Sequence, residues 1–164
     1  MARRTCNGVQ VPILKLALEK QSCVRGSDRT RLATPDAIAD FMRGLYGCAA
    51  QERVYVVLFN AQQQVIGVQD ASTGGIASAQ LDPRVVFAGV VSVGASALVI
   101  VHNHPSGSLE PSADDVRLTE QLRRGAELLG VRLLDHLIVT RGGYTSLAQR
   151  GVLKGLDVAG YSQS

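Results

Sequence analysis

A chain of 164 residues, 46% of them hydrophobic, has enough apolar material for one core and too little length for two ordinary domains and a linker. Lys and Arg number 17 against 14 Asp and Glu, a formal charge of +3 that is too slight to carry phosphate binding without a dense basic face, so nucleic acid is only weakly supported as a partner and the charges read as a solvated surface. Cys6, Cys23 and Cys48 are odd in number and form no CxxC pair, no apolar run approaches the ~20 residues of a membrane span, and no signal-peptide pattern follows Arg3-Arg4, which excludes a disulfide framework, a thiolate zinc finger and a membrane protein and points to a reducing, cytoplasmic setting.

Residues 1–8 read as an N-terminal tail, 9–150 as one domain and 151–164 as a small, polar C-terminal tail. Alternating apolar residues from Val9 to Leu18 around Pro12 predict an early strand at a sheet edge, one that a second copy of the chain can pair with, although oligomeric state is not written in the sequence. After a polar loop, Thr34-Pro35-Asp36 predicts an N-cap, a proline at the first helical position and an acidic first turn; Ile38, Phe41, Met42 and Leu45 follow at helical spacing and Gly47 stops the helix. Val54 to Phe59 and Val65 to Val68 predict a β-hairpin, and Gly74-Gly75-Ile76 opens a further short strand. Asp82-Pro83 starts a helix with Val85, Val86, Phe87, Val90 and Val91 on its buried side, and Ala97 to Val101 reads as a fully buried strand. A Pro/Gly/Ser loop leads to a helix from near Ser112, its apolar side assigned to Val116, Leu118, Leu122, Ala126, Leu128 and Leu129, ended by Gly130. Leu133 to Thr140 and Tyr144 to Leu147 are the last strands. Strands joined mostly by short turns with a few helices between them predict an α+β fold on a mixed, mainly antiparallel sheet flanked by helices.

His102 and His104 stand at the end of the buried strand. In extended backbone residues i and i+2 project from one face, so two imidazoles can converge on one ion. Asp115, early in the next helix, can point a carboxylate back toward that strand end. Two imidazole nitrogens and one carboxylate oxygen suit Zn²⁺, with a fourth position left to water. Attack on an amide then needs a carboxylate to take and return a proton, for which Glu52, just before the Val54 strand, is the candidate, and Ser112 can hydrogen-bond a developing oxyanion.

Each residue also has a plainer account. A histidine at a strand end is commonly a structural hydrogen-bonder. Ser112 and Asp115 form a capping box that alone accounts for both, either Asp114 or Asp115 can serve the helix dipole, and Glu52 by itself is a surface carboxylate. His136, beside Asp135 in the last long strand, reads as a core or edge histidine and stays outside the ligand set, a fourth-ligand or outer-sphere role being the alternative. The literal string His102-Asn103-His104 carries no weight for HNH nucleases, and the H-x-E and P-C-x-x-C signatures of cytidine deaminases do not occur.

Taken together, His102-x-His104-Pro105, the loop to Pro111, Ser112-x-x-Asp115 and Glu52 upstream resemble the JAMM motif of JAB/MPN metallohydrolases. The wording of Val101 to Gly107, with Pro111-Ser112 and Leu134-Asp135-His136, is similar to the bacterial RadC-like branch of that family, and the likeness runs from about Val11 to Leu147. The resemblance implies a JAB/MPN fold, related to that of cytidine deaminases, and zinc-dependent cleavage of peptide or isopeptide bonds in a protein substrate. It maps His102, His104 and Asp115 onto zinc ligands, Glu52 onto the general acid/base and Ser112 onto the oxyanion-stabilising serine. Departures are Asn60 where the family often has Asp, Asp82-Pro83-Arg84 where it often has His-Pro-Arg, and a start close to the JAB/MPN portion where RadC-like proteins commonly carry a helix-hairpin-helix segment. The alternatives are a DNA-repair-associated or mobile-element accessory protein with a structural or vestigial metal, and a non-catalytic scaffold.

Overall fold

The computed structural model of the chain describes residues 34–46, 51–71 and 81–151, together with the paired backbone of two short strands near the N-terminus. Those two, β1 (Thr5–Cys6) and β2 (Val9–Gln10), form an antiparallel ladder of their own. Val9–Gln10 is the part of the predicted early strand within the described residues; its remainder and the predicted Gly74-Gly75-Ile76 strand lie outside them.

Helix α1 (Pro35–Tyr46) begins as its sequence requires, with Thr34 Oγ1 accepting the Ala37 N–H at 3.2 Å. The hairpin of β3 (Val54–Phe59) and β4 (Val65–Asp70) turns around Asn60, whose Oδ1 accepts the N–H groups of Gln62 and Gln64, while Gln63 takes a positive φ of 60°. Asp82 caps α2 (Pro83–Val93) through the Arg84 N–H at 2.8 Å, and Gly94 ends it in the left-handed region, where a side chain would be strained. Then come β5 (Ala97–Asn103), α3 (Ala113–Leu128), β6 (Arg132–Thr140) and β7 (Gly143–Ser146).

The five long strands form one sheet in the order β4-β3-β5-β6-β7. Three of its four ladders are antiparallel and only β5 with β6 is parallel, so the fold is the mixed, mainly antiparallel α+β arrangement expected. Parallel neighbours need a crossover, and α3 supplies it.

Both sheet faces are covered, as the unbroken apolar run of β5 demands. On one face Ile38, Ala39 and Met42 of α1 join Val57, Phe59, Val99 and Val101; on the other Val86, Val90, Leu122 and Ala126 from α2 and α3 join Val56, Leu58, Leu98, Ile100 and Ile138. Fully burying each Val, Leu, Ile, Met or Phe side chain among these stabilises the fold by about 1.5–3 kcal/mol. The two helices come close because Gly125 has no Cβ: one placed there would lie 2.5 Å from the Phe87 ring. The inward face of α3 is narrower than predicted. Thr119, Leu122 and Ala126 are buried at helical spacing, whereas Leu128, rotated off that row, is 89% exposed, and Leu129, the C-cap just past the last helical residue, is also exposed; Val91 of α2 lies off the row of Val86 and Val90 and is exposed too.

This architecture sets the site. His102 continues the Leu98–Ile100 row on the α2/α3 side. The register Val54↔His102 puts the residues preceding β3 beside the end of β5, and the loop after His104 runs into the start of α3.

Candidate metal centre

His102 is 2% exposed, and its Nε2 lies 2.8 Å from Nε2 of His104. The two ring atoms that face each other are therefore the same on both histidines. His104 is turned this way by Ser108: its Nδ1 is 2.9 Å from the Ser108 carbonyl oxygen, which can only accept, so Nδ1 carries a hydrogen and the neutral ring has its lone pair on Nε2. The loop supplying that carbonyl is tied down beyond it by the two-pronged ion pair of Glu110 with Arg150, at 2.7 and 3.0 Å.

Asp115 enters from the first turn of α3. Its Oδ1 is 3.3 Å from His102 Nε2 and its Oδ2 3.7 Å from His104 Nε2. The carboxylate is held by the capping box: Oδ2 accepts from the Ser112 N–H at 2.7 Å and from the Ser112 hydroxyl at 2.6 Å, and Ser112 Oγ accepts from the Asp115 N–H at 3.1 Å. Asp114, the other acid of that turn, faces Arg117 instead.

Glu52 reaches the same place from the other strand. One ligand atom from each of Glu52, His102 and His104 lies within 4.8 Å of the other two, a grouping able to hold a metal ion. Glu52 is exposed, yet its backbone is fixed on both sides by Asn103: the side-chain Oδ1 accepts the Arg53 N–H at 2.7 Å, Nδ2 donates to the Gln51 carbonyl at 3.0 Å, and the Asn103 N–H donates to the Arg53 carbonyl at 3.3 Å. The structure thus brings together all five residues singled out in the sequence. It adds Asn103, whose only sequence signal was its place between the two histidines.

The donor set fits a cation. Lone pairs and carboxylate oxygens converge there, and mutual repulsion of such acceptors is relieved by a proton or a metal ion placed among them. Burial pushes the His102 pKa down to about 4, with the nearby Asp115 charge opposing that shift and His104 adding to it. A neutral imidazole is the form that ligates a metal.

His136 lies behind the site. It is fully buried, its Nε2 is 2.7 Å from Nδ1 of His102, and its Nδ1 is 2.6 Å from the Thr119 hydroxyl. It meets the side of His102 turned away from His104 and Asp115, so among the described residues it belongs to the outer sphere. Burial, and then the neighbouring His102 and His104, hold its pKa well below the ordinary histidine value. Next to it, Asp135 accepts from the N–H groups of His136 and Ala148 and from the Ser146 hydroxyl, at 2.7, 3.0 and 2.5 Å, and ties β6 to the chain around β7. Thr119 was not singled out in the sequence; the available signal was a hydroxyl on the apolar row of α3, three residues before Leu122.

The family model of the RadC-like JAB domain matches residues 32–152. Among curated relatives, UPF0758 protein STH371 of Symbiobacterium thermophilum is 38% identical over 127 residues, covering 77% of this chain and 54% of its own length. UPF0758 protein AM1_4368 of Acaryochloris marina is 37% identical over 135 residues, or 82% and 56% of the two chains. A UPF0758 protein of Microcystis aeruginosa is 39% identical over 125 residues, or 76% and 51%. The chain spans about half the length of the curated relatives it matches. Among the described residues no helix is long and apolar enough to cross a membrane.

Proposed function

Since this chain belongs to the RadC-like JAB domain family, we propose that it is a zinc-dependent hydrolase of peptide or isopeptide bonds, with His102, His104 and Asp115 as metal ligands and Glu52 as general base. The observation that carries the reading is the convergence of the two Nε2 atoms, a carboxylate oriented by the start of α3, and a second carboxylate arriving from the residues just before β3. Asp115 suits the ligand role because it is 13% exposed and held by two hydrogen bonds from Ser112. Glu52 suits the base role because it is open to solvent and to a substrate while its backbone is clamped.

Zinc, when bound, supplies Lewis acidity that polarises a carbonyl and lowers the pKa of water toward ~7. The protein's own part is proton handling and placement. Glu52 takes a proton from the water that adds to the carbonyl carbon and gives it to the leaving nitrogen as the C–N bond breaks, so amide and water become acid and amine. Ser112 is read as the oxyanion donor. Its single hydroxyl hydrogen goes to Asp115 Oδ2 in this structure, so that role requires the hydroxyl to turn from the carboxylate toward the substrate.

The test is Glu52→Gln against the parent, scored by metal content and by hydrolysis of a panel of peptides and isopeptide-linked proteins. About one zinc per chain in both, with turnover only in the parent, is the expected result. Hydrolysis by the Gln variant at the parent rate would remove Glu52 from the chemistry.

A further inference from the structure

We propose that Thr119 and His136 are positioning residues that fix the tautomer of His102, so that its unprotonated Nε2 faces the metal pocket. One buried chain of hydrogen bonds leaves each of its hydrogens a single place. It starts at the main-chain carbonyl of Asp115, which can only accept. The Thr119 hydroxyl is 2.5 Å from that oxygen and has one hydrogen, so it donates there and can offer only a lone pair to His136. His136 Nδ1, at 2.6 Å from the same hydroxyl oxygen, must then carry a hydrogen.

The His136 ring is fully buried, with an imidazole and a hydroxyl as its hydrogen-bonding partners, surroundings that disfavour a charged ring. A neutral His136 with hydrogen on Nδ1 has a bare Nε2. That atom accepts from His102 Nδ1 at 2.7 Å, and the remaining His102 nitrogen, Nε2, is left without a hydrogen. His104 reaches the same state through the Ser108 carbonyl. The two ligand candidates are thus oriented by two separate backbone carbonyls, one through a single bond and one through three. The carbonyl at the far end of the longer route belongs to Asp115, so the turn of helix that brings the carboxylate also dictates the histidine tautomer.

The tautomer assignment stands on hydrogen-bond geometry, whereas its consequence for zinc rests on the metal-centre reading, and the experiment separates the two. The chain has three histidines, so long-range ¹H–¹⁵N spectra of the metal-free full chain hold only three rings. Hydrogen on Nδ1 of both His102 and His136 is expected in the parent. Thr119→Val keeps the branched shape without the hydroxyl; His136 is then free to place its hydrogen on Nε2 and push His102 toward the Nε2–H form. Zinc affinity, read by competition with a chromophoric chelator, should fall about 10- to 100-fold and return in Thr119→Ser. A threonine needed only for packing would change the melting temperature and leave tautomers and affinity alone.

Hydrogen on Nε2 of His102 in the parent overturns the proposal, as does a Thr119→Val protein with parental tautomers and parental affinity. If the Val variant does not fold, the parent spectrum alone decides. If the expected tautomers appear and switch in the Val variant while the parent binds no zinc, the relay holds and the metal-centre reading is what fails.

Discussion

Two carboxylates flank the histidine pair, and thermal unfolding distinguishes the proposed ligand, Asp115, from the proposed base, Glu52. In zinc at a hundredfold excess over its Kd, the parent should gain ~2.7 kcal/mol over the metal-free protein. For a chain of this size that is a rise of about 5–11 °C in Tm, at ~2–4 °C per kcal/mol. Asp115→Ala should show no such rise. It should also melt lower without metal, by about 2–4 °C, because Ser112 loses its capping partner and a lost cap costs ~1 kcal/mol. Glu52→Gln should keep both the metal-free baseline and the full zinc shift, since its side chain is exposed and caps nothing among the described residues. Differential scanning calorimetry in chelator and in zinc reads all three proteins. A zinc shift that survives in Asp115→Ala and vanishes in Glu52→Gln would make Glu52, His102 and His104 the ligand set and leave the reaction without its base. A parent unaffected by zinc would refute the metal centre altogether.

Asn103→Ala removes the two side-chain bonds that fix the backbone on either side of Glu52, and should lower kcat at least ~10-fold with zinc content unchanged, since misplacing a reacting group by ~1 Å costs about that much or more; an unaltered kcat would show that Glu52 needs no such clamp. Burial lifts the Asp135 pKa to about 6 against its three acceptor bonds, so the stability this group contributes is full below about pH 3.8 and is lost as pH rises through about 6. Relative to Asp135→Asn, the parent should therefore gain up to ~3 kcal/mol as pH falls from 7 to 4, at ~1.4 kcal/mol per pKa unit, whereas urea melts with a constant gap between the two proteins would refute the assignment.

The fold was readable where periodicity was strong and punctuated. Thr34-Pro35, Asp82-Pro83 and Ser112 each open a helix at the predicted place, and the apolar run of β5 is buried from Ala97 to His102. The errors concern how wide a helix face is buried. Val91, Leu128 and Leu129 are apolar in the sequence and exposed in the structure, because burial depends on where the sheet lies under each helix and hydrophobicity alone does not report that. For the site, the HxH spacing and the capping-box acid were legible because each follows from local geometry. The nearness of Glu52 was not, since it depends on the antiparallel pairing of β3 with β5. Asn103 and Thr119 act through contacts 50 and 17 residues away, and their local signals, a place between two histidines and a hydroxyl on an apolar helix row, do not point to those partners.

The capping box and the proposed ligand role of Asp115 are compatible accounts of one residue, because the same carboxylate geometry serves both. A parallel partner for β5 forces a crossover, and the crossover helix starts just after the loop leaving the strand end that bears the histidines. A helix start presents unpaired N–H groups and a positive dipole end, which favour a carboxylate there whatever its further task. Asp115 gives Oδ2 to Ser112 and turns Oδ1 toward His102, so folding of α3 orients the carboxylate before any ion arrives. With the proposed His102, His104 and Asp115 set, the loss of side-chain freedom would be borne by folding and not by metal binding, which would raise the affinity of that set. Removing the Ser112 hydroxyl should accordingly weaken zinc binding although Ser112 is not a ligand, because the carboxylate would lose one of the two bonds that aim it.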